Sequence, residues 1–291
     1  MMGKFAIFGC MTWTLLAASA APSWAENTNL IPQKPRVASL NLCTDTLLLQ
    51  YADPAQIASI TWLSLDQSLS PYAAQAQAFH HNRGNAEDIL HLDVDLVLTG
   101  ASTSPATKAM LRRLNIATMN MADANSTAAI ATNITQLTQA IAQHARGERS
   151  VSDFVTAVNR LERTTAGYKR AVTDWPLAAF MQPNGLTVGP GTLSDELLRL
   201  AGFRNAATMI GLKTYQQFPL ESLLRVSPQL LVMSDNQQQY PALAQQILKH
   251  PAMAHMPQKL QVASADLICG TTRVLRVAAA IANRRVQIET L

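Results

Sequence analysis

The sequence predicts an α/β protein of two lobes joined by one long helix. Three observations carry that expectation. From Arg36 onward, short β-branched or apolar runs alternate with stretches of helical period, the pattern of parallel strands returned by crossover helices. A second series of the same kind begins after Trp175-Pro176. Between the two, Val151, Phe154, Val155, Val158 and Leu161 recur at helical spacing.

In the first series strands are expected at 37–40, 57–61, 96–99 and 116–121, with helices at about 44–51, 87–92, 104–114 and 126–144. In the second, strands fall at 177–181, 230–233 and 260–263, with helices at about 193–201, 220–226, 240–249 and 272–287. The linking segment, 147–172, has Ser150 and Asp153 at capping-box spacing, and Pro176 as its stop. As one helix it would run roughly 37 Å at about 1.5 Å per residue, long enough to back both lobes. The expected division is therefore an N-terminal lobe over 26–146, an interdomain helix over 147–172 and a C-terminal lobe over 173–291. An ordinary surface helix inside one large domain is the alternative. A continuous helix offers no loop residues to absorb a hinge motion, so little lobe movement is expected.

One internal repeat supports lobes of similar build. Glu87-Asp88-Ile89-Leu90 precedes Asp95-Leu96-Val97-Leu98 at the same separation at which Glu221-Ser222-Leu223-Leu224 precedes Gln229-Leu230-Leu231-Val232. In each, a short helix opened by Glu leads into a buried strand.

The chain opens with Lys4, an uncharged run over 5–21 and Ser23-Trp24-Ala25, the order of a secretory signal cleaved after Ala25. An uncleaved anchor is the alternative, against which Pro22, Ser23 and Ala25 argue. Cys10 sits too early in the apolar segment to close a lipobox. Cleavage would remove only Lys4 among the charges, taking the formal net charge from +4 to +3. Lys and Arg are scattered without blocks or interleaved aromatics, which speaks against a nucleic-acid groove. After residue 25 no apolar stretch is long enough to span a bilayer, and 48% hydrophobic residues suffice for two cores.

Three segments resemble a known family: Arg36-Val37-Ala38-Ser39-Leu40-Asn41-Leu42-Cys43-Thr44-Asp45; Asn85-Ala86-Glu87-Asp88-Ile89-Leu90 with Asp95-Leu96-Val97-Leu98; and Ser227-Pro228-Gln229-Leu230-Leu231-Val232. They are similar to the helix-linked (class III) periplasmic substrate-binding proteins of ABC importers for iron-siderophores, haem and cobalamin. The similarity covers nearly the whole mature chain. It implies two Rossmann-like lobes joined by a single long interdomain helix, a monomer with no cofactor and no catalysis, and a periplasmic location. It also implies capture of a metal chelate, ferric siderophore or corrinoid, and delivery to ABC permease subunits in the inner membrane. Asp93-Val94 stands where members of the family commonly carry a proline. The resemblance further implies one acidic docking residue per lobe, and the repeat selects Glu87 and Glu221. The alternative is that each Glu complements the positive end of its helix, an effect of about 0.3–1 kcal/mol.

In open parallel sheets ligands sit beyond the carboxyl ends of the strands. That rule selects Asn41, Cys43, Trp62, Arg83, Gly100 and Ser102 from the first lobe, and Gln182, Asn184, Tyr215, Asp235, Cys269 and Thr271 from the second. Trp62 could stack on a flat chelate or pack in a core. The Arg83 fork suits chelate oxygens, against the alternative of a solvated surface arginine. The Tyr215 phenol could bond a chelate oxygen or merely cover apolar surface.

Cys43 and Cys269 are the only cysteines past the signal, and each follows an expected strand at the ligand edge. They are expected to lie near one another across the cleft, where an oxidising compartment favours a disulfide. Held slightly apart they could offer sulfur to a metal. Two separate buried thiols is the third possibility.

Gly189-Pro190-Gly191-Thr192 lacks the lysine of a phosphate loop and reads as a turn and N-cap. His80, His81, His250 and His255 form no His-rich set at strand ends, so bare zinc or manganese binding is the weaker reading. No Gly-x-Ser-x-Gly, His-Glu-x-x-His, nucleotide fingerprint or Cys-x-x-Cys is present, which leaves a secreted α/β enzyme as the rival from another class.

Overall fold

The computed structural model describes residues 34–168, 171–235, 250–254, 256 and 258–289. The expected signal segment and the expected helix at 240–249 lie outside the described residues. The first sheet holds β1 (Val37–Ser39), β2 (Ile57–Thr61), β3 (His81–Asn82), β4 (Leu96–Thr99) and β5 (Thr118–Asn120) in the order β3-β2-β1-β4-β5. All its pairings are parallel, for example Val37 with Leu96 and Ile60 with His81. Every residue of β1, β2 and β4 is buried, as strands covered on both faces must be. The edge strand β5 is largely exposed.

The second sheet holds β6 (Leu177–Met181), β8 (Arg204–Asn205), β10 (Leu230–Asp235) and β11 (Lys259–Ala263) in the order β11-β10-β6-β8, again parallel. An antiparallel pair, β7 (Leu186–Val188) with β9 (Tyr215–Gln217), stands beside it. The two-residue strands β3 and β8 and the polar strand β9 carry too little hydrophobic alternation to be read from sequence.

The helices are α1 (Leu42–Tyr51), α2 (Ala73–Ala76), α3 (Pro105–Arg113), α4 (Thr127–Ala140), α5 (His144–Ala166), α6 (Leu193–Leu200), α7 (Leu220–Val226), α8 (Pro251–Ala254) and α9 (Val274–Glu289). The expected helix at 87–92 is only a 3-10 turn, Glu87–Ile89. The expected helix at 126–144 ends at Ala140, because Ala142 turns left-handed at φ 55° before α5 starts. None of the described helices is long and apolar enough to cross a membrane.

The connecting helix is α5, displaced from the expected bounds. It starts at His144, so Ser150 lies inside it and caps nothing; its hydroxyl instead bonds the Tyr51 hydroxyl at 2.7 Å. The capping-box reading is thus corrected. The helix stops at Gly167, well before Pro176, and Val172–Asp174 forms a separate 3-10 turn. Its 23 residues span about 34 Å at 1.5 Å per residue.

Near the start of α5, Gly147 lies so close to α4 that a Cβ would sit 2.0 Å from Thr138 Oγ1. Near its end, Thr165 Oγ1 donates to Leu200 O at 2.7 Å. The helix is therefore fastened to α4 of the first lobe and α6 of the second. One continuous core runs from Leu48, Ile60 and Leu98 through Ile134 and Phe154 to Phe180, Leu197, Val232 and Ile281. At about 1.5–3 kcal/mol for each large apolar side chain fully buried, this shared core holds the lobes together more strongly than a linker would.

Candidate functional site

The carboxyl ends of both sheets converge on one cavity of about 380 Å³. From the first sheet come Asn41 after β1, Gly100 after β4 and the loop 121–125 after β5; from the second lobe come residues 191–194, after β7 of the antiparallel pair, and Leu267, Ile268 and Gly270 after β11 of the second sheet. Such a volume falls in the range of small-molecule sites, about 300–1,000 Å³.

Local chemistry holds each wall. Asn41 is the N-cap of α1, its Oδ1 accepting from Cys43 N at 2.9 Å and Thr44 N at 3.4 Å. Gly100 allows this: a Cβ there would lie 2.7 Å from Asn41 Cγ. Asn133 Nδ2 donates to Ala122 O at 2.8 Å and pins the loop after β5. Gly191 turns left-handed at φ 77°, and Thr192 caps α6 by accepting from Asp195 N at 3.2 Å while donating to Gly189 O at 2.9 Å. Sequence read this turn correctly as a cap but did not place it on a cavity.

Among the described residues, a disulfide and two side-chain ties cross from one lobe to the other near the cavity. Cys43 and Cys269 form a disulfide with Cα atoms 5.0 Å apart. The Glu196 carboxylate, in the first turn of α6, accepts from Thr127 N at 2.9 Å and Thr127 Oγ1 at 2.7 Å, at the start of α4. Gln50 Nε2 donates to Thr272 Oγ1 at 3.2 Å. Gly270 packs directly on the other lobe, where a Cβ would meet Ala124 Cβ at 2.5 Å.

Behind the wall made by α1 lies Asp45, fully buried. Its Oδ2 accepts from Thr61 N at 3.1 Å, Thr61 Oγ1 at 2.5 Å and Ser64 Oγ at 2.8 Å, while Oδ1 has no hydrogen-bond partner. Loss of hydration raises its pKa to about 7, although the hydroxyl bonds pull the other way.

Of the residues selected from sequence, Asn41, Cys43, Gly100 and Tyr215 line this cavity. Cys269 is buried between the lining residues Ile268 and Gly270. Thr271 is buried just past them, its Oγ1 accepting from Arg273 N at 3.3 Å. The others stand elsewhere. Trp62 is 55% exposed, one residue past β2. Arg83 is exposed, with its backbone N donating to Asp88 at 2.6 Å. Ser102 is exposed in the turn after β4. Gln182 and Asn184 belong to the β6–β7 turn, where Gln182 N donates to Leu186 O at 2.8 Å and Asn184 adopts φ 61°. Asp235 ends β10.

Sequence reasoning missed Met121, Asp123, Asn125, Asn133, Ser194 and Thr214, which also line the cavity. The strand-end rule would have found the loop 121–125 had it been applied to β5. Glu87 and Glu221 are both exposed, each at the start of its helical turn. Among the described residues no group of three or more His, Cys, Asp or Glu could hold a metal ion.

Several solved structures share this architecture. The periplasmic haem-binding protein RhuT from Roseiflexus sp. RS-1 matches with a TM-score of 0.67 at 19% identity, covering 87% of this chain and 97% of that one. The periplasmic vitamin B12 binding protein BtuF of Vibrio cholerae matches with a TM-score of 0.66 at 18% identity, covering 88% and 99%. The molybdate periplasmic binding protein MolA of Haemophilus influenzae matches with a TM-score of 0.70 at 17% identity, covering 88% and 89%. No curated protein matches the sequence. The family model described as periplasmic binding protein matches residues 37–258. The chain belongs to the periplasmic binding protein family, a family of substrate-binding transport proteins rather than enzymes.

Proposed function

We propose that this chain is the receptor of an ABC importer and that its cleft takes an uncharged or cationic metal chelate, a corrinoid rather than an anionic ferric siderophore. The charge of the cavity wall carries the choice. Its side chains are amides (Asn41, Asn125, Asn133), hydroxyls (Thr44, Thr192, Ser194, Thr214, Tyr215) and apolar groups (Leu47, Met121, Leu193, Ile268). Among the described lining residues the one formal charge is the Asp123 carboxylate, with no Lys, Arg or His. An anionic tricatecholate or the propionates of haem would lose hydration here without gaining a cation, a cost of several kcal/mol. A corrinoid presents a flat ring rimmed with neutral amides, which pair with amides and hydroxyls at no charge penalty. BtuF, one of the structural matches, is a vitamin B12 binding protein, which supports the reading.

Export by residues 1–25 with cleavage after Ala25, two lobes divided at the long helix α5, and action as a monomer complete the proposal. Glu87 and Glu221 are assigned to permease docking; their exposure and their equal distance, nine residues, from the starts of β4 and β10 support it. Native mass spectrometry of the mature protein against cyanocobalamin, a neutral ferric hydroxamate, a ferric tricatecholate and haem tests the ligand class. Retention of cyanocobalamin is expected. Preferential retention of the tricatecholate or haem overturns the charge argument, and preference for the neutral hydroxamate overturns the corrinoid while keeping it.

A further inference from the structure

The repeat that brings Glu87 and Glu221 to equivalent places carries a second pair of residues that docking by charge does not explain. Three positions after each glutamate stands a leucine, Leu90 and Leu224, and both are substantially exposed, at 48% and 40%. The residue before each is buried: Ile89 at 1% and Leu223 at 0%. The turn is thus anchored by one apolar side chain while the next is left in water. Successive residues of a helical turn point about 100° apart, so the position after a buried residue faces outward; both lobes place a leucine, not a polar residue, at that outward position in the same register.

The position of these turns gives the exposed leucines a common direction of approach. The chain before Glu87 lies at the carboxyl end of the first sheet: a Cβ at Gly84 would touch Leu40 O, just past β1, at 3.4 Å. The chain before Glu221 lies at the carboxyl end of the second: Phe218 N donates to Gly185 O, just past β6, at 2.9 Å. Both turns therefore start at the edge on which the cavity opens. Neither glutamate has an ion-pair partner among the described residues. Each lobe thus offers an unpaired carboxylate and an exposed leucine one helical turn apart.

We propose that Glu87 with Leu90 and Glu221 with Leu224 form two equivalent docking units, and that the partner is a pair of two-fold-related permease subunits, each presenting a cation and an apolar socket. This rests on the docking reading above and extends it. Charge steers and orients such an encounter, whereas desolvated apolar contacts slow its dissociation. The two halves of each unit then differ in salt response, since surface charge is screened over about 8 Å at physiological ionic strength and apolar burial is not.

The test is binding of the full mature protein to its ABC permease in nanodiscs, at low and high salt, for wild type, Leu90→Gln/Leu224→Gln and Glu87→Gln/Glu221→Gln. Thermal melts of each variant check folding, and Leu90→Ser/Leu224→Ser serves as a second apolar deletion. The leucine pair should weaken binding by about tenfold or more at both salt concentrations, each single change giving a similar share. The glutamate pair should weaken it mainly at low salt. Leucine variants binding within twofold of wild type while the glutamate variants fail would overturn the apolar half and leave the docking reading intact. Wild-type binding by both pairs would overturn the docking reading itself.

Discussion

Replacing Cys43 and Cys269 by serine should lower the stability of the whole two-lobed unit, not only loosen the cleft. The disulfide closes a loop with a sequence separation of 226, so it removes more unfolded-state freedom than a local bridge does. The loop-closure relation gives about 18 cal/mol/K, or roughly 5 kcal/mol at 25 °C, as the upper figure. Residual structure in the denatured chain lowers it, and about 2–4 kcal/mol is expected. The shared core and the Glu196–Thr127 bonds keep the lobes docked in the variant, so folding should survive. Urea unfolding of the oxidised wild type and the double serine variant measures the effect. The midpoint should fall, and the slope m should rise, because the denatured chain without the bridge is more expanded. An unchanged midpoint, or two free thiols in denatured, unreduced wild type, would refute the reasoning.

Other consequences can be tested separately. Asp45 keeps its proton in the folded chain up to about pH 7, whereas its ordinary value is 3.8. The unfolded state therefore binds fewer protons in between, and stability should fall as pH rises from about 4 to 7 and then level off, by up to roughly 4 kcal/mol. Asp45→Asn should flatten that slope in unfolding curves taken across the range, and an unaltered slope would assign it to other groups. Gly270→Ala drives a methyl onto Ala124 at the lobe boundary and should cost about 1–3 kcal/mol while weakening ligand binding; a neutral result in both melting and titration would show that the 267–271 loop gives way freely. The disulfide, the shared core and α5 all oppose hinge bending, so scattering curves with and without saturating cyanocobalamin should nearly superpose, and a large drop in radius of gyration would contradict this.

What the sequence determined by itself was everything set by local pattern. Short runs of mainly apolar residues such as 57–61, 96–99 and 177–181 are too brief for helices of ordinary length and read as buried strands, and all three appear with the expected bounds. Thr192 announced a helix start because its hydroxyl meets a backbone N–H only three residues away. The family resemblance was likewise carried by contiguous segments. Where local signals competed, tertiary packing decided. Ser150 had the spacing of a cap, yet α5 begins earlier, because the Gly147 contact with Thr138 brings α5 against α4 while Ser150 itself bonds Tyr51.

The candidate site was legible only as a set of strand ends. Strand order and the depth of each loop determine which ends meet, and neither is encoded in any one stretch. Trp62 and Arg83 follow strands as surely as Asn41 does, but β2 and β3 lie toward one edge of the first sheet, whereas β1 and β4 stand beside each other and lead to Asn41 and Gly100 on the cavity. The pairing of Cys43 with Cys269 was open for the same reason. Two residues so distant in sequence become neighbours only when both lobes have folded and α5, with the shared core, holds them face to face.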